Sequence, residues 1–317
     1  MRWALIALAP ACLAAIWFFG WHALRVLAIT TIGSLVFEYA AAKAMKRRPD
    51  LKDCSAAVTG LLLGMNLPAS TPWWICLVGA FVAIVFGKMI YGGLGTNPFN
   101  PALVGRVALL LAFSGALTTW PPARGETPAP QTASVRIETG ATPLAIAKKA
   151  RTEKFAREMP RPPYWKLFLG IGKRGSLGET CGLAILVGGI LLLCLNIIRW
   201  HIPVCYLGTV FLITGIAWLC APGQYAPPLF HLLTGGLLLG AFFMATDMVT
   251  TPLSRTGSVL FAVGCGILTA VIRLWGNYPE GVSFSILIMN AFTPLIDRFT
   301  KGRPFGMPRQ KGLKFEK

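Results

Sequence analysis

The stretch NPFNPALVGR at residues 97–106 returns, shortened, as NAFTPLIDR at residues 290–298. Both carry Asn-x-Phe-x-Pro inside or at the mouth of an apolar run. A second pair accompanies them: TGLLLGMNLPASTP at residues 59–72 parallels TGGLLLGAFFMATDMVTTP at residues 234–252. If each apolar run is a membrane span, both pairs lie five spans apart, and an odd offset reverses direction through the bilayer. The expected fold is therefore an inverted repeat of five plus five helices. In such folds, spans interrupted by glycine or proline at matching positions of the two halves point to a central binding site. Taken alone, the TG-LLLG pair also reads as ordinary small-residue helix packing.

Composition supports spans. Of 317 residues, 55% are hydrophobic and only 13% charged, with a mean hydropathy of +0.61. Several continuous apolar runs exceed the roughly 18 to 20 residues that cross a bilayer as helix, and their continuity argues against the alternating pattern of a β-barrel. The reading is an all-α polytopic membrane protein. Its ten spans lie near 3–20, 24–43, 54–67, 73–91, 100–119, 179–198, 202–220, 229–248, 257–274 and 283–300. The N-terminal run is read as the first span and not as a signal peptide, since Trp17 and Trp21 flank it without a small-x-small exit. Residues 1–119 then form the first membrane half, 120–178 a long loop, 179–300 the second half and 301–317 a basic tail. Eight cysteines, none in a C-x-x-C pair, read as small buried hydrophobes, and no metal site is expected.

The formal charge of +18 reads as a topology signal. Lys43, Lys46, Arg47, Arg48, Lys52, Arg199, Arg255 and the tail cluster fall on one side of the spans, while the short opposite connections hold no lysine or arginine. This places both termini in the cytoplasm and removes nucleic acid as a partner. The basic loop 120–178 falls outside, as long loops can.

That loop contains SVRIETGATPLAIAKKA, residues 134–150. Thr142 before Pro143 is a helix opening, with a hydroxyl at the N-cap and proline at the first helical position. Free amides there, with Lys148, Lys149 and Arg151 nearby, favour a phosphate. A capped surface helix is the competing reading of the same residues.

Thr139-Gly140-Ala141-Thr142 resembles the S/T-G-A-T signature at which FMN is joined through its phosphate to a threonine. The segments DLKDCSAAVTGLLLGMNLPASTPWW (50–74), KMIYGGLGTNPFNPALVGR (88–106), FMATDMVTTPLSRTG (243–257) and GNYPEGVSFSILIMNAFTPLIDRFT (276–300) extend the resemblance over essentially the whole chain. It is to the NqrB/RnfD family of respiratory membrane subunits, and the Rnf branch (ferredoxin:NAD oxidoreductase) is nearer than the sodium-pumping NADH:quinone reductase. The resemblance implies FMN esterified to Thr142 and a second, noncovalent flavin, riboflavin, in the bundle. It also implies partners: a periplasmic flavoprotein subunit and other membrane subunits of an ion-translocating complex in the bacterial inner membrane.

Other residues are weighed on their own chemistry. YGGLGTNPFNP (91–101) has glycines and amides able to approach a flavin closely, which nominates Gly92, Gly93, Asn97 and Asn100, with Asn290 as the repeat partner; a tight turn is the alternative. Asp247, an acid at a span end, is an ion-coupling candidate or a carboxylate paired with Arg255. Glu38 and Arg273 lie in or near spans, and Lys88 and Arg106 read as snorkelling cations. No nucleophile–base set or dinucleotide fingerprint occurs, so bound flavin would supply the chemistry. A functional class of another kind, an inverted-repeat solute channel, fits the same fold but has no use for the Thr-Gly-Ala-Thr loop.

Overall fold

The computed structural model describes residues 1–47, 51–121, 123, 142, 144, 163–222, 224–276 and 281–300. Among them there are helices and turns and no strand. In the first half, α1 is Arg2–Phe19, α2 Trp21–Ala44, α3 Ser55–Met65, α4 Trp73–Phe81 running on as a π-helix over Val82–Met89, and α5 Pro101–Ala112. In the second, α6 is Gly182–Cys194, α7 His201–Cys220, α8 Pro228–Leu233, α9 Leu237–Leu239 running on as a π-helix over Gly240–Met244, α10 Arg255–Trp275 and α11 Val282–Thr300. Short helices at Ser114–Leu117 and Tyr164–Leu169 lie between the halves.

Five helices, α1, α2, α7, α10 and α11, are long and apolar enough to cross a membrane, and the 55–65, 73–89, 101–112 and 182–194 segments are shorter apolar helices. The outer surface is greasy: Leu13, Ile32, Leu212, Ile216 and Phe299 are all exposed, as are the helix-end tryptophans Trp17, Trp21, Trp73 and Trp275. Aromatic rings at helix ends over an apolar band are the pattern of a bilayer-embedded bundle.

Several expected spans are corrected in length. The third and sixth, expected at 54–67 and 179–198, are α-helical over 55–65 and 182–194, and the fifth, expected at 100–119, is α-helical over 101–112 and, after a break at Phe113, over 114–117. An 11-residue helix such as α3 rises roughly 16 Å at 1.5 Å per residue, about half of a ~30 Å hydrocarbon core. The expected eighth span, 229–248, is broken outright. The chain leaves α8 at Thr234, takes a left-handed turn at Gly235 with φ +70°, and resumes as α9. Hydropathy sees only the apolar composition of such a run; the break is a backbone event that glycine permits.

Glycines set the close approaches. A Cβ on Gly60 would lie 2.6 Å from the Thr30 carbonyl and one on Gly64 2.5 Å from its hydroxyl, so this face of α3 lies against the α2 backbone. The packing reading of TGLLLG thus holds. In the second half, Gly240 abuts Val282 of α11 at 2.3 Å by the same measure. The pairings correspond across the halves: α2 packs on α4 as α7 packs on α10, and α4 on α5 as α10 on α11. Helix α1 packs on α6, joining the two sets around one core. Tyr206 of α7, wholly buried, shares hydroxyl bonds with Thr269 of α10 (2.7 Å) and Ser285 of α11 (3.1 Å).

The tightest helix crossing gives a stability prediction. A Cβ on Gly188 would lie 1.9 Å from the carbonyl oxygen of Ala7, whereas one on Gly208 meets nothing within 4 Å. Gly188→Ala must force α1 and α6 apart, at a cost of about 1–3 kcal/mol for overpacking. Thermal unfolding in detergent should show a lowered midpoint for Gly188→Ala and no lowering for Gly208→Ala. Equal midpoints for the two variants would show that α1 and α6 do not touch in this way.

Candidate functional site

Helix ends buried within the bundle leave free N–H and C=O groups that need partners there. The groups that meet them join the two halves. Asn100 caps α5: its Oδ1 accepts from the amides of Ala102 (3.1 Å) and Leu103 (3.4 Å), and Pro101 at the first helical position has no amide to satisfy. Its Nδ2 donates to the Met244 carbonyl at 3.2 Å, at the end of the π-helix that follows α9. With the Asn290 amide oriented so that both of its ends find partners, the Asn100 backbone N–H donates to Asn290 Oδ1 at 3.1 Å and Asn290 Nδ2 donates to the Ile286 carbonyl at 3.3 Å. The two Asn-x-Phe-x-Pro motifs of the sequence therefore touch. Across the same centre, Asn66 at the end of α3 donates to the Leu62 carbonyl (2.7 Å) and to Met244 Sδ (3.7 Å).

Beside this junction lies a cavity of about 260 Å³, close to the lower end of the roughly 300–1,000 Å³ common for small-molecule sites. Its wall combines apolar side chains, among them Trp3, Leu8, Phe242 and Phe243, with the polar residues Ser55, Thr59, Lys88, Asn97, Asn100 and Asp247. Elements of both halves contribute.

Of the sequence candidates, Asn97, Asn100 and Asp247 line the cavity, and Asn290 holds Asn100 from behind. Asn97 is buried, its Nδ2 donates to the Phe99 carbonyl at 3.0 Å, and its Oδ1 finds no donor among the described residues. A buried acceptor without a partner suits a ligand N–H. Gly92 and Gly93 have positive φ of 121° and 105°, as a turn requires, but they are not part of the wall. Gly92 instead offers its carbonyl to Arg47 at 2.6 Å. From that turn, Leu94 is the residue that reaches the cavity.

Asp247 accepts from the Thr250 hydroxyl at 3.3 Å, and the ion pair found among the described residues is Lys88 with Glu38, not Asp247 with Arg255. The pairing alternative is thereby removed. Thr142 is buried, 3% exposed, and two residues on, Leu144 packs with Leu167 and with Phe230 of α8. Thr139, Gly140, Ala141, Lys148, Lys149 and Arg151 lie outside the described residues.

The expectation that Lys88 and Arg106 snorkel is corrected, since they are 2% and 3% exposed. Lys88 Nζ, from the π-helical end of α4, donates to both oxygens of Glu38 on α2 at 2.8 Å. A snorkelling lysine needs a water-facing exit; this one is met by a carboxylate within the bundle, which relieves the cost of its charge there. Arg273 at the end of α10 donates to the carbonyls of His231 (2.6 Å) and Thr234 (3.2 Å). It thereby takes up the backbone acceptors that the break after α8 exposes. The Glu38–Lys88 pairing is open to sequence reasoning: two opposite charges interrupt otherwise apolar spans, and each is costly without the other.

The sequence of this chain is similar to those of proteins already known. The model of the NQR2, RnfD, RnfE family matches residues 1–306. A relative from Acetobacterium woodii, named as the D component of a Na(+)-translocating ferredoxin:NAD(+) oxidoreductase complex, is 42% identical over 312 residues, covering 98% of this chain and 91% of the relative. One from Clostridium ljungdahlii, named as the D component of the proton-translocating complex, is 43% identical over 307 residues, covering 96% and 90%. The D component of an ion-translocating oxidoreductase complex from Halorhodospira halophila is 40% identical over 326 residues, covering 98% and 91%. Similarity of this extent along nearly the whole of both chains, on an all-helical membrane bundle, shows that the chain belongs to the NQR2, RnfD, RnfE family.

Proposed function

We propose that this chain is the flavin-carrying D component of an Rnf-type ion-translocating electron-transport complex, working as one relay among several subunits and inactive alone. The observation that supports this most is the near full-length identity of about 40% to relatives named as that component. Transfer of electrons from ferredoxin to NAD(+), the reaction in two of those names, belongs to the assembled complex. Its coupling ion does not follow from identity, because relatives named for sodium and for protons are equally similar.

Within that role, FMN is joined by its phosphate to the Thr142 hydroxyl. The motif Thr139-Gly140-Ala141-Thr142 and the docking of Leu144 against Phe230 support an anchored segment held to the bundle. A second flavin, riboflavin in the simplest case, occupies the cavity. The fit rests on the unmet Asn97 acceptor, which suits the imide N–H of the ring, and on the flat apolar walls of Phe242 and Phe243. The bound flavins supply reversible one- and two-electron chemistry; the protein positions them and keeps bulk water away. Both termini are cytoplasmic and the 120–178 loop is extracytoplasmic, facing a periplasmic flavoprotein partner. Asp247, on the cavity wall, is the ion-coupling candidate.

Two measurements separate the two flavins. After coexpression with a flavin transferase, the denatured wild-type band should fluoresce in the gel and gain the mass of one FMN less water, and Thr142→Val should lose both signals completely. Fluorescence that survives the substitution would remove Thr142 as the anchor. Asn97→Leu removes the acceptor for the ligand N–H, at about 1–3 kcal/mol, which corresponds to roughly 5- to 150-fold in affinity. Flavin retained noncovalently through purification should fall accordingly while the Thr142 signal persists. Unchanged retention would place the second flavin elsewhere.

A further inference from the structure

A string of hydrogen bonds leads from the cavity to the connection between α2 and α3. Lys88 and Ser55 both line the cavity. Lys88 Nζ, besides its bonds to Glu38, donates to Ser55 Oγ. Ser55 Oγ donates to both carboxylate oxygens of Asp53, at 2.8 and 2.9 Å, and the Ser55 amide donates to the same group at 2.8 Å. Asp53 is half-buried at the end of a short 3-10 turn, and its neighbour Lys52 is exposed. Asp247 stands on the cavity wall too, but its side-chain hydroxyl partner is Thr250, so it is not part of this string.

A structural ion pair would need only Glu38 and Lys88. The extra serine and the second carboxylate extend the pair outward, and every link is a group that can both hold and pass a proton. We propose that Asp53, Ser55 and Lys88 form a proton relay between the cavity and water at the α2–α3 connection. The proposal rests on the reading that the cavity holds a flavin. Electrons delivered to a ring in a dry, low-dielectric site leave a negative charge that is costly there unless a proton follows.

In the resting arrangement Lys88 is an ammonium held by Glu38. When an upstream carrier of the complex delivers electrons to the cavity, Lys88 gives one proton to the occupant. One ammonium N–H bond breaks, one bond to hydrogen forms on the ring, and Lys88 becomes an amine. Lys88 is then recharged along the string. Asp53, protonated from water, passes its proton to Ser55 Oγ, and Ser55 releases its own hydroxyl proton to Lys88. One proton enters per cycle, no electron moves along the string, and the hydrogen bonds return to their starting pattern.

The test uses the purified complex with all its subunits. Flavin content is measured by extraction, and single-turnover reduction by dithionite is followed by flavin absorbance in H₂O and D₂O. Wild type should reduce more slowly in D₂O. Ser55→Ala and Asp53→Asn, each with flavin retained, should slow formation of the protonated reduced form by about 10²-fold, the lower range for losing a positioned proton donor. Asn at 53 can still accept from the Ser55 amide but carries no acid proton, and Ser55→Thr should restore the wild-type rate. Wild-type rates and isotope effects in flavin-loaded Asp53→Asn and Ser55→Ala overturn the relay and leave a structural ion pair. If Ser55→Ala instead loses its flavin while loaded Asp53→Asn reduces at the wild-type rate, the relay is equally overturned and Ser55 is a packing residue. Wild-type complex with no extractable flavin overturns the cavity assignment, and the relay falls with it.

Discussion

One residue, Asn100, ties three elements together through its side chain and its backbone N–H. It caps the start of α5, ties the π-helical end after α9 through Met244, and is itself held by Asn290 on α11. In water such bonds exchange for solvent at small net gain. In a bundle surrounded by lipid there is no solvent to exchange with, so an unpaired amide at mid-depth carries its full desolvation cost. That constraint explains why half-length helices are tolerated here at all. Where α5 begins and α3 ends inside the bundle, a side-chain amide or a proline removes the orphan groups. The cavity lies beside the start of α5, with Ser55 and Thr59 from the first turns of α3 on its wall.

The same logic governs the buried charges. Arg273 satisfies the carbonyls of His231 and Thr234 where the chain breaks between α8 and α9, and a guanidinium with its fork of donors suits two adjacent acceptors. Lys88 and Glu38 neutralise one another between α2 and α4. Burying such a pair is not in itself stabilising compared with well-packed apolar residues. Only its Lys88 end reaches the cavity wall.

Which features are legible in the sequence follows from the physics each one obeys. Apolar run length is a composition property, so the all-helical membrane class and the long helices α1, α2, α7, α10 and α11 can be read directly. The repeated Asn-x-Phe-x-Pro motifs mark the centre, because amides within apolar runs need partners and these two bond each other. Helix stops are not legible. Residues 229–248 look continuous to any hydropathy window, yet Gly235 turns the chain with a positive φ, and α6 ends locally at Asn196, whose φ of 53° lets the last carbonyls be closed by the chain itself. Lys88 and Arg106 look like snorkelling cations because the sequence gives depth only along a span and says nothing of what faces it. The flexibility of Gly92 and Gly93 nominates them for the cavity, whereas their positive φ values serve the turn that carries Leu94 and Asn97 into place.

The broken run from α8 to Asp247 then acquires a meaning that an intact helix could not have. At one end, Phe230 packs against Leu144 of the Thr142 segment; at the other, Phe242, Phe243 and Asp247 form part of the cavity wall. An unbroken helix would bury its backbone groups in its own hydrogen bonds and present only side chains along this path. Here the break exposes carbonyls, and Arg273 collects them. The π-helical end, in turn, aims the Met244 carbonyl at Asn100. One interrupted segment thereby links the two places where flavin is proposed, with polar anchors at each interruption and packed apolar side chains between them. The proposed relay would need that combination of packed apolar walls and fixed polar ends, and the glycines and amides retained in these apolar runs supply the breaks and the bonds that close them.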